Sequence, residues 1–76
     1  MIQPNRTVDA SGLACPMPIV RTRQAIDELA SGEVLEVIST DSGSVTDIPS
    51  WAATLGHTLV DARDDGQKYV YLIQKG

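Results

Sequence analysis

Apolar residues in this chain fall either in short runs dense in Val, Ile and Leu or at every third or fourth position, with glycine-containing turns between. Thr7-Val8-Asp9 reads as a short first strand, followed by a turn over Ala10 to Ala14 in which Gly12 can take a positive φ. Ile19, Thr22, Ile26, Leu29 and Ala30 then recur at the i, i+3, i+4, i+7 spacing, which predicts a helix running to about Ala30 with these residues on its buried face. Arg21, Gln24 and Glu28 fall on the opposite, solvated face. Ala14 or Cys15 is expected to cap this helix. Pro16 and Pro18 sit in its first turn, where backbone N–H groups have no intrahelical partner and proline costs little. Ser31-Gly32 stops it.

Glu33 to Ser39 is bounded by turn residues and reads as a central strand. Thr40-Asp41-Ser42-Gly43 forms a loop, and Ser44-x-x-Asp47 is a capping-box variant for a second helix ending at Gly56. Pro49 falls late for a first turn, so this helix is expected to start irregularly or only at Ile48. His57 to Arg63 and Lys68 to Gln74 complete the pattern as a hairpin across Asp64-Asp65-Gly66. The order is βαβαββ. Right-handed crossovers put both helices on one face of a four-stranded sheet, giving a two-layer α/β sandwich.

Seventy-six residues make one domain, residues 1–76, which buries only about 60–65% of its unfolded surface and has no room for a deep active site. A net charge of −4 argues against nucleic acid or an anionic membrane as direct partner, since both are bound through an excess of Lys and Arg. Protein partners are the expected class. The segment Met1 to Arg6 lacks a basic region leading into an apolar one, and no apolar run reaches membrane-spanning length, so a cytoplasmic location is expected. A single cysteine agrees with a reducing compartment. One Cys and one His cannot supply the four ligands of a zinc centre, and neither a metal nor a cofactor is expected.

Cys15 is the candidate reactive group. Beside a helix N-terminus its thiolate, the nucleophilic form, is favoured by the positive end of the helix dipole. Such effects are worth about 0.3–1 kcal/mol, up to ~2 when partly buried, so the dipole shifts a thiol by roughly one pKa unit, from about 8.5 to about 7.5. If Cys15 is the cap, its sulfur can accept a hydrogen bond from the Met17 N–H but none from Pro18, and it stays incompletely coordinated. With no second cysteine, Cys15 can bond only to sulfur on another molecule. The competing reading, a buried thiol packed as a small hydrophobe, fits poorly with a junction between turn and helix. Met17 and Val20 lie off the buried arc next to Cys15, and with Leu13 they suggest an apolar docking patch, bordered by the basic Arg21. His57 opens the third strand at the far edge, about 20 Å away if the first helix has about fourteen residues, and reads as structural. Trp51 is expected to pack in or beside the core, and Asp61, Asp64 and Asp65 mark a solvated strand end and hairpin.

Asp9-x-x-Gly12-Leu13-x-Cys15-Pro16-x-Pro18 resembles the signature of the small TusA-like (SirA-like) sulfur carrier proteins. Asp47-Ile48-Pro49 followed by Trp51, Gly56-His57 and the closing Tyr71-Leu72-Ile73-Gln74-Lys75 are similar to the same family, so the likeness spans nearly the whole chain. The resemblance implies a mixed sheet whose last strand inserts between the second and third. In such a sheet the C-terminal ends of the first three strands share one edge, which carries Cys15, the Asp41 to Ser44 loop and the turn after Arg63, the edge that ligands and partners favour. It also implies that Cys15 holds sulfane sulfur as a persulfide, with Asp9, Gly12, Leu13, Pro16 and Pro18 as the supporting motif, in a carrier rather than an enzyme. Implied donors resemble cysteine desulfurases or rhodaneses, and implied acceptors are small sulfur-relay proteins serving tRNA thiolation, cofactor biosynthesis or sulfur oxidation. The chain leans toward sulfur oxidation or general trafficking. Ala52 stands where some members carry a second cysteine, which argues against a role needing two thiols, and Asp41-Ser42-Gly43-Ser44 replaces their Asp-Pro-Ala-Thr stretch in the loop expected to face partners. The rival reading is a thiol-based redox or regulatory module forming mixed disulfides with glutathione.

Overall fold

The aliphatic run in the middle of the chain forms a central strand of the sheet, with a paired strand on either side and Leu35, Val37 and Ser39 buried along it. The computed structural model describes residues 3–14 and 16–76. Its elements run β1 (Arg6–Ala10), α1 (Met17–Asp27), β2 (Val34–Ser39), α2 (Ser44–Thr54), β3 (Thr58–Asp64) and β4 (Tyr69–Gln74). The sheet order is β1-β2-β4-β3, with β1 parallel to β2 and β4 antiparallel to both of its neighbours. The last strand does insert between the second and third, as the family resemblance implied.

Leu35 and Val37 of β2 and Tyr71 and Ile73 of β4 point to one face, where Ala25 and Ile26 of α1 and Ile48 and Ala52 of α2 close the core over them. Val8, Ile19, Leu29, Trp51, Leu59 and Tyr69 pack around this cluster. Burying each large aliphatic side chain contributes about 1.5–3 kcal/mol, so the single layer of helices against the sheet accounts for the cohesion of the two layers.

Register fixes which end of the sheet matters. Ala10 lies opposite Ser39, Ser39 opposite Tyr69, and Tyr69 opposite Asp64, so β1, β2 and β3 all end at one edge. Arg6 and Thr58 belong to the other end, where Arg6 faces Leu35 and Thr58 faces Gln74.

Several expectations at helix ends are corrected. The N-cap of α1 is Pro16 (φ −95°, ψ 11°) rather than Ala14 or Cys15, and its ring offers no side-chain hydrogen bond to the turn. The helix stops at Asp27, short of Ala30, and Ala30 is exposed; Pro18 and Ala25 take buried places instead. Tertiary partners explain the early end. The Lys75 ammonium donates to the Leu29 carbonyl at 2.6 Å, and the Glu33 carboxylate accepts the Ala30 N–H at 2.7 Å, so these groups are satisfied without another helical turn. In α2 the expected capping box does not form. Gly43 is the N-cap, and Ser44 turns inward. The helix starts at Ser44, ahead of Ile48, and accommodates Pro49 in its interior; the N–H missing at Pro49 is the one that would bond the carbonyl of exposed Val45, where water is available as a substitute. Gly56, in the left-handed region at φ 80°, follows the end of α2. Between Leu59 and Asp61 the β3 register shifts by one residue, a bulge at Val60.

Candidate functional site

Cys15 itself, and the expectation placed on it as a nucleophile, lie outside the described residues. Asp9, next to last in β1, accepts the Ser11 N–H on its carboxylate at 3.0 Å, and hydrogen bonds from the Ser11 hydroxyl and amide hold this carboxyl below the usual carboxylate range. A group shifted down in the folded state stabilises the turn above the ordinary carboxylate pKa, and that contribution fades as pH falls through the lowered value. The chain then reverses. Gly12 sits at φ 79°, a conformation other residues resist, and the Leu13 N–H closes on the Ala10 carbonyl at 3.2 Å.

The turn is also tied across the sheet edge. The Gly12 N–H donates to Thr40 Oγ1 at 2.8 Å, linking the loop after β1 to the loop after β2. That second loop is anchored from below. The Asp41 N–H donates to Ser39 Oγ at 3.1 Å, the Ser44 hydroxyl donates to the Asp41 carbonyl at 2.7 Å, and Ser44 Oγ is hydrogen-bonded to the Tyr71 hydroxyl at 2.8 Å. Ser39, Ser44 and Tyr71 are all buried. Burial pushes the Tyr71 phenol up from its ordinary pKa, against the opposing effect of its bond to Ser44.

Tyr71→Phe removes the hydroxyl but leaves Ser44 bonded to Asp41, so the expected loss is about 1 kcal/mol, read as a lower urea midpoint at unchanged slope. A raised tyrosine pKa contributes stability that is full below about pH 10, where the unfolded chain ionises, and is lost above it as pH rises through the folded value. The phenylalanine variant is expected to lack that alkaline loss.

Beyond Cys15 the two motif prolines have different surroundings. Pro16 is exposed, and its carbonyl accepts the Val20 N–H at 3.1 Å. Pro18 is fully buried and its carbonyl accepts the Thr22 hydroxyl at 2.7 Å. The Met17 N–H, expected to be available to a capping sulfur, instead bonds the Ala14 carbonyl at 2.9 Å, because the cap falls at Pro16 and the first helical amide closes a turn on the residue three back. Met17 and Val20 are each 38% exposed, Arg21 is exposed and Leu13 is half-buried. The first turn of α1 carries no carboxylate to offset the positive end of the helix.

The sequence did not flag Thr40 and assigned Ser44 to the wrong bond. Hydroxyl residues clustered at the end of a central strand, Ser39, Thr40 and Ser44, were the available signal.

His57 lies at the opposite end of the sheet, directly before Thr58, where its Nδ1 accepts the Gly76 N–H at 3.0 Å and its ring stands 5.4 Å from that of Trp51. His57→Ala is accordingly expected to leave the rate of Cys15 alkylation within about twofold, at a modest cost in stability. A tenfold slowing in a variant that still folds would return His57 to the chemistry. Trp51 is half-buried against the core and lines a cleft of about 340 Å³ with Ile19, Arg23 and Leu55. A groove of about 660 Å³ lies on the uncovered face of the sheet, lined among others by Glu36, Val60, Val70 and Leu72. Neither borders the turn at residues 11–14. Among the described residues no three His, Cys, Asp or Glu side chains are grouped to hold a metal, and no helix is long and apolar enough to cross a membrane.

Three comparisons bear on this arrangement. The family described as Sulfurtransferase TusA matches residues 6–75. The chain is 49% identical over 72 residues to YrkI of Bacillus subtilis, covering 95% of this chain and 96% of that one. It is 42% identical over 71 residues to Sulfur carrier protein TusA of Allochromatium vinosum, covering 93% of each. Its fold superposes on the crystal structure of a SirA-like protein from Desulfitobacterium hafniense with a TM-score of 0.82 at 27% identity, over 93% of this chain and 97% of the other. A matching family across almost every residue, a shared fold and relatives named for the same role agree: the chain belongs to the TusA family of sulfur carrier proteins.

Proposed function

We propose that the protein carries sulfane sulfur as a persulfide on Cys15 and hands it to an acceptor protein. The observation that carries this reading is that a chain of a sulfur carrier family has one cysteine, and that this cysteine stands in the Cys-Pro-x-Pro segment directly after the fixed turn at residues 11–14. The Cys15 thiolate attacks the outer sulfur of a donor persulfide, R–S–SH. The donor S–S bond breaks as the new one forms, R–S⁻ leaves, and Cys15–S–SH results with no net oxidation. An acceptor thiolate repeats the exchange on the outer sulfur and regenerates the Cys15 thiolate.

Asp9, Gly12 and Leu13 shape the approach to the sulfur, while Pro16 and Pro18 set where the helix begins. Met17, Val20 and Arg21 form the surface on which partners dock. Donors of the cysteine desulfurase or rhodanese type and small relay acceptors suit a small domain with exposed apolar side chains beside the motif. The relay serves sulfur oxidation, general trafficking or tRNA thiolation in the cytoplasm.

The test is intact-mass spectrometry after incubation with a cysteine desulfurase and free cysteine. A gain of one sulfur atom that dithiothreitol removes is the expected result. No gain from the desulfurase, together with a glutathione adduct on exposure to oxidised glutathione, would replace the carrier by a redox module.

A further inference from the structure

The turn at residues 11–14 is exposed apart from half-buried Leu13. Among the described residues its hydrogen bonds are local, from Ser11 to Asp9, from Leu13 to Ala10 and from Met17 to Ala14, with the bond from the Gly12 N–H to Thr40 Oγ1 as the exception. That bond spans 28 residues of sequence. Thr40 in turn follows Ser39, which is buried, and precedes Asp41, whose amide and carbonyl are held by Ser39 and Ser44, with Ser44 pinned to Tyr71 of β4. The exposed turn is therefore fastened through one hydroxyl to a rigid buried cluster.

We infer that Thr40 is a positioning residue for the sulfur chemistry: its hydroxyl, by accepting the Gly12 N–H, sets the turn that delivers Cys15 to the start of α1. This rests on the carrier reading and extends it to a residue outside the Cys-Pro-x-Pro segment. Exposed turns open at little free-energy cost, so a single hydrogen bond is a large share of what keeps this one closed. With the turn open, Gly12 to Ala14 no longer fix where the following residue enters the helix, and both reactions of the thiol slow.

The experiment compares the parent with Thr40→Val, Thr40→Ala and Thr40→Ser by two rates at pH 7: alkylation by iodoacetamide, and sulfur loading from inorganic tetrasulfide followed by intact mass. In the second, the Cys15 thiolate takes one sulfur from S₄²⁻ and releases S₃²⁻. Thr40 is exposed, so all three variants are expected to fold, with circular dichroism as the check. Both rates should fall, by up to about fivefold, in Thr40→Val and Thr40→Ala, as the closed–open equilibrium constant shifts by what one hydrogen bond carries, and return to the parent's in Thr40→Ser, which restores the acceptor. Faster exchange of the Gly12 amide should accompany the fall. Parental alkylation rates in Thr40→Val and Thr40→Ala, or no recovery in Thr40→Ser, would overturn the inference. A parent that alkylates normally yet gains no sulfur from tetrasulfide would instead remove the carrier reading, and the alkylation series would still decide the role of Thr40.

Discussion

Cys15→Ser should abolish covalent sulfur loading altogether while leaving the protein folded. Cys15 is the only cysteine in the chain, so no other side chain can form the S–S bond through which sulfane sulfur is held. The change replaces sulfur by oxygen at a turn-helix junction, where serine is also a favoured residue. Unfolding in urea should therefore give the parental midpoint, and radiolabelled sulfur supplied by a desulfurase should stay with the donor. Label bound covalently to the serine variant after denaturation would mean that the carrier function resides elsewhere.

Met17→Lys should weaken transfer to the acceptor protein by tenfold or more, about 1.4 kcal/mol, without slowing the reaction of Cys15 with tetrasulfide. Met17 begins α1 and is 38% exposed, as is Val20, so the substitution gives up little packing. Small transient interfaces depend on a few central residues, and a lysine placed at such a centre beside exposed Arg21 adds a charge that must be desolvated without a partner. Tetrasulfide needs no docking, so it reports on the thiol alone. Equal slowing of both reactions would make Met17 a support of the thiol or of the helix start. If neither reaction changed, partners would approach from the Asp41 to Ser44 loop.

What could be read from the sequence follows from how local each determinant is. The strand β2 was legible because its Val, Ile and Leu run is bounded by turn residues, and the left-handed Gly12 because a sharp turn after a strand requires one residue without a Cβ. The exposure of Met17 and Val20 came directly from helical spacing. Helix ends were less legible. The pattern Ser44-x-x-Asp47 reads as a capping box, yet the Ser44 hydroxyl is taken by the Asp41 carbonyl and by Tyr71, 27 residues further along, and no local pattern encodes that partner. Likewise α1 ends early because Lys75, which is distant in sequence, reaches the Leu29 carbonyl. The sheet order was drawn from family resemblance rather than from spacing. Thr40 escaped notice for the same reason as Tyr71: its bond to Gly12 exists only once β1 and β2 lie side by side.

The one-residue irregularity at Val60 matters for what this protein does when crowded by copies of itself. An open sheet has two edges whose unpaired backbone groups can template another chain. Here β3 forms one edge, and the bulge between Leu59 and Asp61 interrupts the even ladder that a second strand would need, with the paired charges of Asp61 and Arg63 just beyond it. The other edge, β1, is only 5 residues long and carries Arg6 and Asp9. Resistance to edge-to-edge aggregation is thus written into the least regular part of the sheet, at the cost of one misaligned residue.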